Sequence, residues 1–259
     1  EVIKIKIYIL TDLEGVAGVS KFEHCSTSGQ FFLRSQRLLT EEVNAAVEGS
    51  FLAGAEEVVV WDGHGPGGMN PEILHKEARL ITGSVIDKNC GLDKTFDAMM
   101  VIGQHAMNRV PEANLCHTYS SRGISEMRLN DNPIGELGMR TIMAGFLEVP
   151  VIFVSGDDKA CKEAEDMVPE VETTAVKNSL GREAAIAYTP QKAREKIKKG
   201  VIKAIARKDE IKPYTEEPPF VLETDYFEVD PENPDDRSWD RPIEKTEVEK
   251  SDDFLELAR

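Results

Sequence analysis

Ile5-Lys6-Ile7-Tyr8-Ile9-Leu10-Thr11-Asp12-Leu13-Glu14-Gly15 is the stretch on which the reading of this chain turns. Lysine alternates with isoleucine at first, and the run then becomes fully apolar, as in a strand buried on both faces of a parallel sheet. It ends on an acidic pair and a glycine. Two further apolar runs end in the same way, Val58-Val59-Val60-Trp61-Asp62-Gly63-His64 and Met99-Met100-Val101-Ile102-Gly103-Gln104-His105, and His117 closes a shorter one, Leu115-Cys116-His117-Thr118. The chain has only five histidines, so three of them at the ends of apolar runs is informative. In an open α/β sheet the carboxyl ends of parallel strands converge on one crevice, where ligands bind. Carboxylates and imidazoles meeting there have the composition of a zinc site.

Working outward, strand and helix patterns alternate over the first 170 residues or so. Val2 to Leu10 reads as a strand, Phe31 to Ala53 as an amphipathic helix closed by Gly54, and Val58 to Trp61 as a second strand. Pro71 to Glu77 reads as a short helix and Asp97 to Ile102 as a third central strand. His117 falls in a β-type stretch, followed by a strand Ser125 to Leu129. Asn130-Asp131-Asn132-Pro133 is turn chemistry ahead of a helix near Ile134 to Leu147. A strand Pro150 to Val154 and a helix Lys159 to Met167 follow. The alternation predicts an α/β fold with a parallel or mixed sheet covered by helices. Later come a basic helix (Pro190 to Lys208), an extended piece (Pro218 to Val229), a Pro/Asp-rich loop (231–242), a strand (Glu244 to Val248) and a short terminal helix (Asp252 to Leu257). These predict a smaller C-terminal α+β element. The expected organisation is a metal-binding catalytic α/β domain over 1–185 and a smaller α+β domain over 186–259.

The 259 residues are ample to bury a core, and 41% are hydrophobic. The net charge of -16 argues against nucleic acid as a partner, because neutralising phosphates takes basic patches. From Tyr214 to Arg259 there are sixteen acidic and five basic residues, a net of -11, read as a solvated acidic periphery. No apolar run is long enough to span a bilayer, so no membrane association is expected. The four cysteines form no C-x-x-C pair and suggest no disulfide framework, which predicts a reduced, cytoplasmic protein. Gly63, Gly65, Pro66, Gly67 and Gly68 lack the G-x-x-x-x-G-K pattern of a phosphate loop and read as room for backbone beside a ligand.

Asp12 and Glu14 are two apart and face the same side of a regular strand, though an acidic pair beside glycine also simply makes a turn. Asp12, Glu14, His64 and His105 are expected together at adjacent strand ends, and Asp62 could serve His64 as a supporting partner. Oxygen and nitrogen donors without a thiolate suit zinc well, and manganese or cobalt less well. Glu136 reads from position alone as a favourable acid at a helix N-terminus. His117 is open between a third imidazole ligand, a general base and a core histidine. Its neighbour Cys116 points the opposite way in an extended segment and reads as a small buried hydrophobe. Asp157 and Asp158 are candidates either for capping a helix or for supporting the site.

These residues fall into a series. Thr11-Asp12-Leu13-Glu14-Gly15 with Gly18, Leu39-Thr40-Glu41-Glu42-Val43-Asn44, Asp62-Gly63-His64, Gly103-Gln104-His105-Ala106, Asn132-Pro133-Ile134-Gly135-Glu136-Leu137-Gly138 and Gly156-Asp157-Asp158 resemble, in order and spacing, the motifs of the zinc-dependent D-aminopeptidases of the DppA type. The resemblance covers about Ile5 to Ala185 closely and continues more loosely to Glu249. It implies a centre of two zinc ions per subunit held by Asp12, Glu14, His64, His105 and Glu136, with His117 as a separate catalytic histidine. It also implies hydrolysis of the N-terminal bond of short peptides that begin with a D-residue, such as D-Ala-D-Ala, and a homo-oligomer of stacked rings, a decamer. It assigns no role to Tyr119-Ser120-Ser121-Arg122.

Strand-end Asp and His ligands also serve other binuclear hydrolases, such as amidases and phosphoesterases. Few basic residues flank the ligand motifs, chiefly Arg122, Arg128 and Arg140, which disfavours a phosphoester substrate. A metal-stabilised, peptide-binding assembly protein without catalysis is the remaining reading.

Overall fold

A computed structural model describes residues 5–83 and 88–258. The elements, in chain order, are β1 (Ile5–Thr11), α1 (Phe22–Cys25), α2 (Phe32–Leu52), β2 (Ala55–Asp62), β3 (Arg79–Ile81), β4 (Ala98–Gln104), β5 (Ile124–Leu129), β6 (Asn132–Pro133), α3 (Glu136–Phe146), β7 (Val151–Asp157), α4 (Asp158–Met167), β8 (Glu172–Gly181), β9 (Ala184–Ala187), α5 (Pro190–Ala206), β10 (Phe220–Phe227), β11 (Ile243–Ser251) and α6 (Phe254–Leu257). The residues Val2 to Lys4 of the first expected strand lie outside the described ones.

Seven strands form one sheet in the order β3-β2-β1-β4-β7-β8-β9, and four form a second in the order β11-β10-β5-β6. The large sheet is parallel except for β9, which runs antiparallel to β8. The small sheet is antiparallel throughout. β4 and β7 are buried along their whole length, and β1 from Ile7 onward, which is why their sequences carry continuous apolar runs. The chain moves from β1 to β2 in one direction along the sheet, and from β4 through β7 to β8 in the other. Right-handed crossovers therefore set α2 on one face and α3 and α4 on the opposite one. β1 and β4 lie side by side where the order reverses, which opens the crevice beyond their carboxyl ends.

Glycine is required where these two strands end. A Cβ on Gly103, whose φ is +83°, would lie 2.0 Å from the Asp12 carbonyl oxygen, and one on Gly15 would lie 2.0 Å from that of Gln104. With no side chain between them, the Asp12 N–H donates to the Ile102 carbonyl at 2.9 Å and the Gly15 N–H to the Gly103 carbonyl at 2.7 Å. The acidic pair after β1 is thereby clamped to the end of β4, just before His105.

Most expected elements are present, with local differences, to which α1 and β9, both unanticipated, also belong. His117 lies in irregular backbone rather than a β-type stretch, because residues 114–123 turn repeatedly instead of pairing with a strand. Pro71–Ile73 is a single 3-10 turn, shorter than the helix expected over Pro71 to Glu77. β8 has no counterpart among the expected elements, since its Thr-, Lys- and Asn-bearing sequence lacks an apolar run. Position 185 falls within β9 itself. Beyond it, α5 packs on α2 and β8 of the large sheet; before it, β5 and β6 belong to the small sheet.

The motif on α2 is structural. Thr40 Oγ1 accepts the Asn70 N–H at 2.8 Å, and Asn44 Oδ1 accepts the His75 N–H at 2.7 Å, so together they staple the segment after the Gly-rich loop. Glu42 is buried and accepts the Ala17 N–H at 3.0 Å. Burial raises its carboxyl from 4.5 to about 7, against the lowering influence of that N–H, Lys177 and Arg194. The folded state thus holds the proton more tightly than the unfolded chain. The stability this contributes is complete below about pH 4.5 and is lost as pH rises through about 7. Urea melts between pH ~5 and ~8 are expected to show a declining stability, at most about 1.4 kcal/mol per pH unit from this group, and Glu42→Gln should flatten part of that decline.

Candidate metal centre

The side chains of the site come from the ends of four elements and from one irregular segment. Asp12 and Glu14 follow β1, His64 follows β2, His105 follows β4, and Glu136 opens α3. His117 arrives on the irregular segment between β4 and β5. All five residues expected as ligands, and His117, are brought together. Asp12, Glu14 and His64 place one ligand atom each within 4.8 Å of one another, and so do His105, His117 and Glu136.

Asp12 joins the two groups. Its Oδ1 lies 3.4 Å from His64 Nδ1, and its Oδ2 lies 3.2 Å from His105 Nε2. Glu14 Oε2 lies 3.3 Å from His64 Nδ1, and Glu136 Oε1 lies 3.5 Å from His105 Nε2 and 3.8 Å from His117 Nε2. The outer ring nitrogens are engaged with backbone: His64 Nε2 with the Cys25 carbonyl at 3.2 Å, His105 Nδ1 with Ala106 at 2.8 Å, and His117 Nδ1 with Leu115 at 2.9 Å. On a neutral ring, an N–H donating to a carbonyl fixes the tautomer and leaves the inner nitrogen's lone pair aimed at the centre, where a cation would replace the proton. The His105 and His117 rings stack at 4.0 Å and 13°.

The donor set fits a cation. Asp12 Oδ2, Glu14 Oε2 and His105 Nε2 are buried and have no hydrogen-bond partner. Three carboxylates converge in a buried space where like charges repel strongly unless a positive charge lies among them. Protons supply that charge in the protein alone. Burial disfavours the cation on His64 and His105, yet the carboxylates outweigh it, raising His64 to about 11 and holding His105 well above the usual imidazole range. Burial, with Glu14 next, pushes Asp12 up to about 6, whereas Glu136 falls to about 2 because the histidines overcome its burial. His117 goes the other way, down to about 4, through burial and the neighbouring charge on His105. It is therefore neutral near pH 7.

The supporting acids divide differently from the expectation. Asp62 accepts the N–H groups of Gly68 at 2.7 Å and Met69 at 3.1 Å. It closes the Gly-rich loop instead of orienting His64, whose outer nitrogen goes to the Cys25 carbonyl. Asp157 caps α4 by accepting from Lys159 and Ala160, and Asp158 accepts the Ser179 N–H at 2.7 Å. Neither makes a hydrogen bond to the six central side chains. Cys116 is fully buried among Ala106 and Ala113, as a small hydrophobe.

Two contributors have no signal in the sequence. Lys177, inside β8, is buried and donates to the Glu14 carbonyl, to the Val19 carbonyl at 2.7 Å and to Asn114 Oδ1 at 2.7 Å. It pins the loop that carries Glu14. Lys177→Met leaves three buried acceptors unpaired at about 1–3 kcal/mol each, so a loss of roughly 3 kcal/mol or more is expected in denaturant melts. The second contributor is Arg237, which with Arg122 lines a pocket of about 380 Å³ shared with Asp12, Glu14, His64, His117 and Glu136. Arg128 is engaged elsewhere, with Glu126, Glu223 and Asp225, and the Arg140 guanidinium lies over the Trp61 ring.

An open α/β sheet whose switch point gathers carboxylates and imidazoles below a pocket has the architecture of a metallohydrolase. A family model described as D-aminopeptidase matches residues 5–231. A curated D-aminopeptidase of Bacillus subtilis (strain 168) is 36% identical over 214 residues, spanning 82% of this chain and 77% of that protein. The solved structure of the Zn-dependent D-aminopeptidase DppA from Bacillus subtilis, described as a self-compartmentalizing protease, superposes with a TM-score of 0.87 at 30% identity, covering 98% of this chain and 94% of that one. The chain belongs to the D-aminopeptidase family.

Proposed function

We propose that the protein is a zinc-dependent aminopeptidase that removes an N-terminal D-residue from short peptides such as D-Ala-D-Ala, with two zinc ions per chain. The observation that carries this reading is the pair of donor groups joined by Asp12, whose two oxygens face different histidines. Glu14 and His64 would complete one site, and His105 and Glu136 the other. When bound, zinc ions polarise a scissile carbonyl and acidify a water near neutral pH. His117, with Nδ1 held by the Leu115 carbonyl and Nε2 turned toward Glu136, would take the proton of the attacking water and return it to the departing amine. Its Nδ1–H bond to Leu115 keeps that nitrogen from the exchange.

The pocket above the donors, about 380 Å³ in volume, offers the space a short peptide would occupy. We assign the D-preference to this chain through its family. The zinc-dependence and self-compartmentalizing character of the Bacillus subtilis structure support zinc and a homo-oligomer here, a decamer by family resemblance. Leu180, Ile186 and Tyr188, exposed on the β8–β9 hairpin, supply apolar surface for such contacts. Four free, buried cysteines accord with a cytoplasmic setting. No helix among the described residues is long and apolar enough to cross a membrane.

The test is hydrolysis of D-Ala-D-Ala against L-Ala-L-Ala by the zinc-loaded protein. Strong preference for the D-dipeptide is expected. Equal turnover of the two refutes the D-specific reading, and turnover of neither refutes the aminopeptidase reading.

A further inference from the structure

The mouth of the pocket carries charge that the chemistry above does not use. Ser120, Ser121, Arg122 and Arg237 line the same space as Glu14 and His117. The serines and Arg122 lie three to five residues after His117, and Arg237 comes from the Pro/Asp-rich loop more than a hundred residues later. Arg237 is held in place. Its Nε donates to Ser121 Oγ at 3.2 Å, its Nη1 to the Asp235 carbonyl at 2.9 Å, and its guanidinium lies 4.8 Å from the centre of the Phe22 ring. Its Nη2 reaches only to 4.0 Å from Asp235 Oδ1, which itself accepts from Arg122 Nη1 at 2.8 Å.

Behind them stand two more guanidiniums. Arg182 donates to the Arg237 carbonyl and lies over the Phe22 and Trp239 rings, and Arg241 donates to the Arg122 carbonyl at 2.8 Å. The facing carboxylates are Asp235, Asp236 and Glu183. Asp236 is occupied by Ser238, and Glu183 by the Phe22 N–H at 3.0 Å. Four guanidiniums against three carboxylates leave a positive surplus in a chain whose net charge is -16. The floor of the same pocket is acidic, with Asp12, Glu14 and Glu136.

A peptide whose amino end lies at that floor extends at most ~3.3–3.6 Å per residue, so a di- or tripeptide ends roughly 7–11 Å away. At that end it carries a carboxylate. A guanidinium fork matches a carboxylate in geometry, and an arginine already fixed by an aromatic ring and a serine loses little freedom on binding it. We propose that Arg237, with Arg122 beside it, receives the C-terminal carboxylate of a short peptide substrate and thereby favours peptides with a free C-terminus. The proposal rests on the aminopeptidase reading and gives Ser121 and Arg122 a role.

The experiment compares kcat and KM of the zinc-loaded full chain on D-Ala-D-Ala and on its C-terminal amide. The wild type is expected to favour the acid by about 10–100-fold in kcat/KM, the range of one hydrogen bond between charged groups. In Arg237→Gln the KM for the acid rises by a similar factor while kcat changes far less, and the acid-to-amide ratio falls toward one. Arg237→Lys restores part of the ratio. A wild type that cleaves acid and amide equally, or an R237Q ratio equal to that of the wild type, overturns the subsite while leaving the aminopeptidase reading in place. A wild type that cleaves neither overturns both. The wild-type ratio needs no variant, and R122Q offers a second one should R237Q fail to fold.

Discussion

Replacing His105 by alanine is expected to abolish metal binding and turnover together. His105 Nε2 is buried, unpartnered, and 3.2 Å from Asp12 Oδ2 and 3.5 Å from Glu136 Oε1. Its removal leaves the two carboxylates without the imidazole between them and takes away one of two donors on that side of Asp12. Metal ions supply several kcal/mol of transition-state stabilisation, so at about 1.36 kcal/mol per tenfold the rate should fall by ~10³-fold or more. Metal analysis of the purified variant and kcat/KM at saturating zinc check this. A variant that keeps both its metal and its rate removes His105 from the ligand set. His64→Ala should behave alike, since His64 Nδ1 faces both Asp12 and Glu14.

His117→Ala is expected to differ in kind, with metal retained and kcat lowered by ~10²–10⁴-fold, the usual range for a positioned acid–base group. The geometry makes this a sharp test. His117 shares a donor group with His105 and Glu136, but its Nε2 stands 3.8 Å from Glu136 Oε1 and it stacks on His105 rather than facing Asp12. If the variant loses metal, His117 is a ligand and the division of roles is wrong.

The central residues were legible because strand ends are written locally. An apolar run long enough to be buried on both faces, followed by Asp, Glu or His, gives both the strand and the group it delivers, as at Asp12, Glu14, His64 and His105. Glu136 is different. It stands at the first turn of α3, where an acid is favourable for any helix, so only the resemblance singled it out. Asp62 misled for the opposite reason. It adjoins His64 in sequence, but the nearest N–H groups, those of Gly68 and Met69, claimed its carboxylate. Lys177 and Arg237 were invisible because their meaning lies in partners far along the chain: Lys177 binds the carbonyl of Glu14, and Arg237 binds Ser121. The small sheet was hidden likewise, since β10 pairs with β5 across some ninety residues.

The most direct measurement is a zinc titration of the chelator-treated protein, followed by D-Ala-D-Ala hydrolysis and by bound metal per chain. The expected course is no turnover without zinc and a rise that saturates at two equivalents per chain. Turnover in the fully metal-free protein, or saturation of both binding and rate at a single equivalent, would contradict a two-ion centre joined through Asp12.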